Sequence, residues 1–468
     1  MYPLAIDVGT TNIKLQIFEK DIIIEQLCLP IETYTGRGNK VYQSPVHIYR
    51  QIVRGVRSLT QKGYQIDSLV LTTAMHGIMP IVEGKDEEMY IWLDTQSKPF
   101  IDDIKLEKDY LKYYRKTGTP IHEMSPFAKI GHFQKEKWFK DVTRWVGMKD
   151  YLMEQLTGEF VVDYSIASAT GLFNIHEKKW DKEILQKVGI GVSLLASLVD
   201  TNYSAPLLEK IADDMFLTPN IPVYIGASDG CLASYASYVA NGTLNTITIG
   251  TSGAVRKLSK KIELDETGQT FCYYLNDTYW VVGGATNNGG QIMSWAEEVF
   301  FNGQSIYQNL NDALAKAPIG SDGLLFFPYL TGERAPIWQA TPQGQYIGLS
   351  LEHTKYHLVR SLVEGILYNL RYISELVELE PREITINGGF FSNELLSMMT
   401  ADIFGQNIVQ SIYNEPNFGA VSLIHPVKTY LLSDHRRTFY TEENHQLYSK
   451  SYEIFKKELN TNFIKKNS

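Results

Sequence analysis

Asp7-Val8-Gly9-Thr10-Thr11, near the start of the chain, can be laid over Thr248-Ile249-Gly250-Thr251-Ser252, just past its middle. In each copy an apolar run enters a glycine followed by two hydroxyl residues. A basic residue follows, Lys14 in the first copy and Arg256 in the second. Such a run reads as a strand entering a tight turn in which glycine permits close backbone approach. Five residues are few enough for coincidence; what gives the match weight is that the copies begin two halves of similar length, as two related domains facing one cleft would. A chain of 468 residues is also longer than one hydrophobic core usually serves. The boundary is expected between Tyr238 and Leu244, across Ala240-Asn241-Gly242, giving domains 1–242 and 243–468.

Periodicity supplies the rest of an α/β pattern. Lys14 to Phe18 reads as a second strand, so the first turn belongs to a hairpin. A helix is expected from Val46 to Gln61, with Ile48, Ile52, Val53, Val56 and Leu59 apolar, and a buried strand over Ser68–Thr73. Val223–Ala227 reads as another strand. In the second half, a helix over Leu358–Leu376 precedes a strand–turn–helix–strand unit. That unit is Glu383–Asn387, Gly388-Gly389, Ser392–Phe404 capped by Ser392 or Asn393, and Asn407–Ile412.

Composition narrows the function. A net charge of -9 disfavours non-specific nucleic-acid binding, which runs on excess Lys and Arg. The three cysteines, Cys28, Cys231 and Cys272, form no CxxC pair, which fits a reducing cytoplasm. The start MYPLAIDVGTT lacks the pattern of an export signal, and no apolar run is long enough to span a membrane. Apolar stripes on exposed helices would serve a homodimer or equally a core.

Phosphoryl transfer from ATP needs donors around the phosphates, a carboxylate to organise Mg²⁺ and a base on the attacking hydroxyl. The chain has no GxxxxGK[ST] loop. The Gly9 turn offers Thr10 and Thr11 as donors, Lys14 as a phosphate counter-charge, and Asp7 as a carboxylate for hydrated Mg²⁺. The same residues also make an ordinary glycine-turn hairpin. Asp229, after the Val223–Ala227 run, is either a base for a substrate hydroxyl or a helix cap. Met75-His76-Gly77 follows the Ser68–Thr73 strand, and Trp92 with Asp94 has the equipment of a polyol site; each is also compatible with plain packing.

In this order the segments resemble the FGGY family of carbohydrate kinases over nearly the whole chain. The resemblance implies an actin-like ATPase (ribonuclease H-like) fold of two related domains around a central cleft. It makes Asp229 the catalytic base and Met75, His76, Gly77, Trp92 and Asp229 the sugar contacts. Thr10, Thr11, Lys14, Gly250, Thr251, Gly290, Gly388, Gly389 and Asn393 would contact the nucleotide. ATP and Mg²⁺ are the implied cofactors, with Asp7 and Asp229 meeting the metal through water. Both family signatures can be found, Met124–Ile130 and Gly344–Glu364, with His132 in place of a usual Trp, Leu362 in place of a smaller or β-branched residue, and Gln96 where many members carry Arg.

Within the family, Thr117–His122 followed by Met124-Ser125-Pro126 is similar to members that phosphorylate gluconate. A small sugar acid is therefore the expected partner, and an anion needs donors or positive charge in its pocket. His76, His122, Lys129 and Arg334 are the candidates, though Lys129 and Arg334 suit structural ion pairs as well. A kinase for xylulose or another neutral sugar remains open, and so, further off, does an actin-like ATPase acting on a protein partner.

Overall fold

The computed structural model describes residues 2–339, 342–411, 415–425, 436–441 and 443–464. The chain forms two compact units interleaved along the sequence. One comprises Met1–Val239, Ser259–Val281 and Tyr413–Thr429; the other comprises Ala240–Leu258, Val282–Ile412 and Tyr430–Ser468.

The first unit is built on a six-stranded sheet. Strands β1 (Tyr2–Val8), β2 (Asn12–Glu19) and β3 (Ile22–Pro30) form an antiparallel meander. Helix α1 (Pro45–Thr60) then leads into β4 (Ile66–Thr73), which lies parallel to β1. With β5 (Ser204–Pro206) and β6 (Pro222–Tyr224), the order is β5-β6-β4-β1-β2-β3. Leu4, Ala5 and Ile6 are all fully buried, as a strand covered on both faces requires, and Asp7 interrupts that apolar run. Helix α1 starts where Ser44 accepts the His47 N–H, with Pro45 in the first turn. Its Ile48, Ile52, Val56 and Leu59 make one buried stripe, while Val53 lies at its edge. Each such side chain contributes about 1.5–3 kcal/mol of burial.

The expected strand Val223–Ala227 is shorter than its apolar pattern: β6 ends at Tyr224. Gly226 has φ +64, and a Cβ there would stand 2.0 Å from the Leu71 carbonyl oxygen. The chain thus turns out of the sheet before Asp229, which opens helix α2 (Asp229–Asn241). Ala240 and Asn241 are the last turn of that helix, and Gly242, at φ +72, ends it.

The second unit repeats the plan. Strands β7 (Asn245–Ile249) and β8 (Gly253–Ser259) form a hairpin, and β7 lies parallel to β9 (Ile384–Asn387). Next come β10 (Ile408–Ser411), parallel to β9, and β11 (Arg436–Phe439), antiparallel to β10. Ile412, expected to end β10, lies outside the described residues. Helix α3 (Gly290–Phe301) follows the loop at Thr286–Gly289, and α4 (Lys355–Leu376) starts a turn earlier than expected, capped by Thr354. Helix α5 (Glu394–Phe404) is capped by Asn393, whose side chain accepts the Leu395 N–H. The two hairpins are not identical. Val8 pairs with Ile13, but Ile249 pairs with Gly253, so the second turn is one residue shorter. Lys14 faces Asp7 across its hairpin, whereas Arg256 faces Thr246, two residues before Thr248.

The chain re-enters the first unit as α6 (Pro416–Ile424). A Cβ on its Gly419 would stand 2.2 Å from the Leu232 carbonyl, so α6 packs backbone-to-backbone on α2. Among the described residues no helix is long and apolar enough to cross a membrane.

The turn at Gly226 generates a stability prediction. Gly226→Ala combines a left-handed backbone with a collision against main chain and should cost more than about 1 kcal/mol. Gly38→Ala, at φ +70 with nothing within 4 Å of the added Cβ, should cost less. Thermal melts of the two variants read the difference; equal midpoints would contradict this account of the turn.

Candidate active site

Three strand ends converge in the first unit. Asp7, near the end of β1, lies opposite Thr72 of β4 and Lys14 of β2. A bridge between Thr73 and Ser228 continues the alignment to the segment before Asp229. Asp7, the Met75–Gly77 segment that follows β4, and Asp229 therefore share the carboxyl edge of one sheet, where ligands bind in open α/β sheets. The Asp229 carboxylate accepts the Gly230 N–H at 2.7 Å, so the residue also helps to start its own helix.

Asp7 is only 7% exposed, and its Oδ1 has no hydrogen-bond partner. Burial, then the Asp229 carboxylate, pushes its pKa up to about 8, with Glu415 adding to the rise and Lys14 and Lys149 opposing it. Lys14 Nζ sits 2.9 Å from Glu415, and the same carboxylate accepts from Gln16 Nε2 at 2.8 Å. At 39% and 34% side-chain exposure the Lys14–Glu415 pair is worth little, so a phosphate can take Lys14 at small cost. Among the described residues no group of three or more His, Cys, Asp or Glu could hold a metal by itself. An unpaired buried carboxylate oxygen beside a second carboxylate instead fits a hydrated divalent cation that keeps most of its ligands as water and phosphate.

Beside this edge lies a mostly apolar cavity lined by Gly9, Thr10, Gln43, Met75, Gly77 and Trp92, among others. Trp92 Nε1 donates to Thr10 Oγ1 at 2.9 Å, and Gln43 donates to the Thr10 carbonyl, so both shape the first turn. His76 has φ +69, unusual for a residue with a Cβ. Its Nδ1 is 2.8 Å from the Ala169 carbonyl. A carbonyl only accepts, so Nδ1 carries the proton, and Nε2 of the neutral ring is an acceptor. Asp94, expected to face a polyol, is instead fully buried and accepts from Val41 N and Gln96 Nε2. Gln96, standing where an Arg was expected, thus serves as a neutral partner to that carboxylate.

Three candidates for an anion pocket are occupied elsewhere. Lys129 is 1% exposed and donates to the carbonyls of Met124 and His76. Burial lowers its pKa to about 7. His122 Nδ1 accepts the Met124 N–H, and its Nε2 lies 3.4 Å from Glu123. Arg334 donates to the Thr286 carbonyl in the second unit.

In the second unit Gly250 and Thr251 are exposed in the β7–β8 turn. Helix α3 abuts that turn: Gly290 N donates to the Gly250 carbonyl at 2.6 Å, and a Cβ on Gly290 would stand 2.6 Å from the same oxygen. Gly388, at φ +102, passes so near β7 that a Cβ would meet the Ile249 carbonyl at 2.2 Å, whereas Gly389 faces open space. Asn393 caps α5 and donates to the Tyr307 carbonyl.

Sequence reasoning missed Glu333 as the organiser of this region. Fully buried, it accepts from Thr286 Oγ1, Asn287 N and Asn288 Nδ2 at 2.6–3.2 Å, fixing the loop into α3. Burial raises its pKa to about 7 against those hydrogen bonds. Its only signal was a carboxylate in a Gly-Glu-Arg run, too short to read alone.

Two units, each with a glycine-turn hairpin flanked by a parallel strand, define the two-domain actin-like ATPase class. The family model for the N-terminal domain of FGGY carbohydrate kinases matches residues 2–235, and that for the C-terminal domain matches 245–423. The chain belongs to the FGGY family of carbohydrate kinases. It is 34% identical to a gluconokinase of Bacillus subtilis (strain 168), over 87% of this chain and 84% of the relative. A xylulose kinase and a gluconate kinase, both from Lactobacillus acidophilus, have solved structures that superpose with TM-scores of 0.93. Each covers 99% of both chains, at 26% and 25% identity.

The raised Asp7 makes stability fall with pH. The folded protein holds this proton between about pH 4, the unfolded value, and about 8, so the group's stabilisation is complete at the acid end and lost as pH rises through about 8. Asp7→Asn removes that loss. The ligand-free variant should melt above wild type at pH 9, with the gap closing toward pH 5, while kinase activity is lost. Parallel wild-type and variant melting curves across that range would contradict the environment described for Asp7.

Proposed function

We propose that the chain transfers the γ-phosphate of ATP to D-gluconate, giving 6-phosphogluconate, in the cytoplasm. The observation that carries the chemistry is the presence of buried Asp7 and of Asp229 on the same edge of one sheet, on either side of β4, with His76 on the segment that follows β4. The 34% identity to a gluconokinase supports the acceptor.

In this reading Asp229 takes the proton of the attacking hydroxyl. Mg²⁺ brought with ATP would be held by Asp7 and Asp229 through water, and its charge offsets that of the phosphates. Thr10, Thr11 and Lys14 are the phosphate donors of the first unit. In the second unit Thr251 is the phosphate donor, Gly250 and Gly290 are assigned to the nucleotide as close-packed backbone, and Gly388, Gly389 and Asn393 are assigned to the adenosine. The N–H of Gly290 is already bound to Gly250, so its role is to let α3 approach the turn. Asn393 likewise acts through the helix it caps.

The sugar lies against Met75, Gly77 and Trp92. His76 accepts from a hydroxyl when neutral and donates to the carboxylate when protonated. A neutral ketose offers the protonated ring no carboxylate and forgoes that charge-assisted hydrogen bond.

Xylulose is the second reading, favoured by the xylulose kinase whose structure superposes as well as the gluconate kinase does. Coupled ADP-release assays decide between them. Gluconate should exceed xylulose by at least about tenfold in kcat/KM, a gap of roughly 1.4 kcal/mol, and His76→Ala should weaken gluconate use through KM. A ratio favouring xylulose would overturn the acceptor. Asp229→Asn should lower kcat by about 10²–10⁴ with ATP binding kept; near-normal turnover would overturn the base.

A further inference from the structure

Lys149 stands on the first turn of a helix, Met148–Thr157, with its side chain fully buried. A buried ammonium is expensive unless its donors are matched. Its Nζ donates to the carbonyls of Leu71 (3.3 Å), Ala227 (3.1 Å) and Ile225. That uses all three donors on main chain. Leu71 belongs to β4; Ile225 and Ala227 flank Gly226, the glycine that turns the chain toward Asp229. The counter-charge is Asp163, also fully buried, at 3.7 Å.

Asp163 does more than neutralise. Its Oδ1 accepts the Ile166 N–H at 2.9 Å and caps a short helix, Tyr164–Ser168. That helix carries Ser165, whose Oγ accepts the Ser228 N–H at 3.2 Å and lies 3.0 Å from Ser228 Oγ. Two buried supports therefore meet on the four residues before Asp229. Lys149 holds the carbonyls on either side of Gly226, and Asp163, through Ser165, holds Ser228.

We propose that Lys149, together with Asp163 and Ser165, is a positioning device that fixes where Asp229 meets the sugar hydroxyl. None of the three touches the reacting atoms. Their effect is on the aim of a carboxylate held by main chain that would otherwise leave the sheet at a permissive glycine. A displacement of about 1 Å at a reacting group can lower a rate by 10². The inference rests on the reading of Asp229 as the base, so Asp229→Asn is run beside every variant.

The test is steady-state kinetics with Mg-ATP and gluconate. Lys149→Met alone leaves Asp163 buried without its partner and is expected to destabilise the fold. The double variant Lys149→Met/Asp163→Asn leaves no unpaired buried charge, and such replacements are often close to neutral for stability. It should melt near wild type and keep both KM values within about threefold, yet lose kcat by tenfold to a hundredfold. Ser165→Ala, which leaves both charges in place, should show the same kcat-only loss to a smaller degree. Wild-type kcat in either folded variant, or a loss confined to KM or to melting temperature, would overturn the proposal while leaving Asp229 as base. Wild-type turnover in Asp229→Asn would remove the base and this inference with it.

Discussion

A carboxylate buried at the end of β1 and facing a second carboxylate sets the terms for the rest of the first unit. Asp7 interrupts the buried apolar run Leu4–Val8, and one of its oxygens lacks a partner. Left alone, that arrangement favours the protonated acid, which is why its pKa rises to about 8. The surrounding charges moderate the penalty without cancelling it: Lys14 faces Asp7 across the hairpin but is shared with Glu415, and Lys149 lies deeper, bound to carbonyls. In the proposed reading a cation would complete this site, so that ligand-free stability is given up for affinity.

The second unit uses the same hairpin and parallel strand for a different purpose. Its turn is one residue shorter, carries no counterpart of Asp7, and is backed by α3 through the contact of Gly290 with Gly250. A buried carboxylate is present there too, but Glu333 is saturated with hydrogen bonds and faces its own loop. One carboxylate keeps an oxygen without a partner and the other is closed by hydrogen bonds, and counting their partners separates the two.

The glycine turns, the strand into Thr73 and helix α1 were legible because their periodicity and caps are local properties. Asp229 was legible as a strand-end carboxylate, although its strand stops early, since the clash of a Gly226 Cβ with Leu71 is a long-range fact. Asp94 misled for the same reason. A carboxylate beside Trp92 looks exposed in one dimension, yet it is tied to main chain from a distant segment. Glu415 could not have been linked to Lys14 from spacing alone, because they are 401 residues apart.

The most direct test of the account is whether nucleotide and cation drive a proton off Asp7. Binding of a non-hydrolysable Mg-ATP analogue can be followed by calorimetry at pH 7 in two buffers of different ionisation enthalpy, for wild type and for Asp7→Asn. The difference between the proteins isolates this carboxyl from protons exchanged by the phosphates. The account predicts that wild type releases more protons, by a margin approaching about one per site, and that the margin shrinks above pH 9. Equal proton release by the two proteins at pH 7 would contradict it.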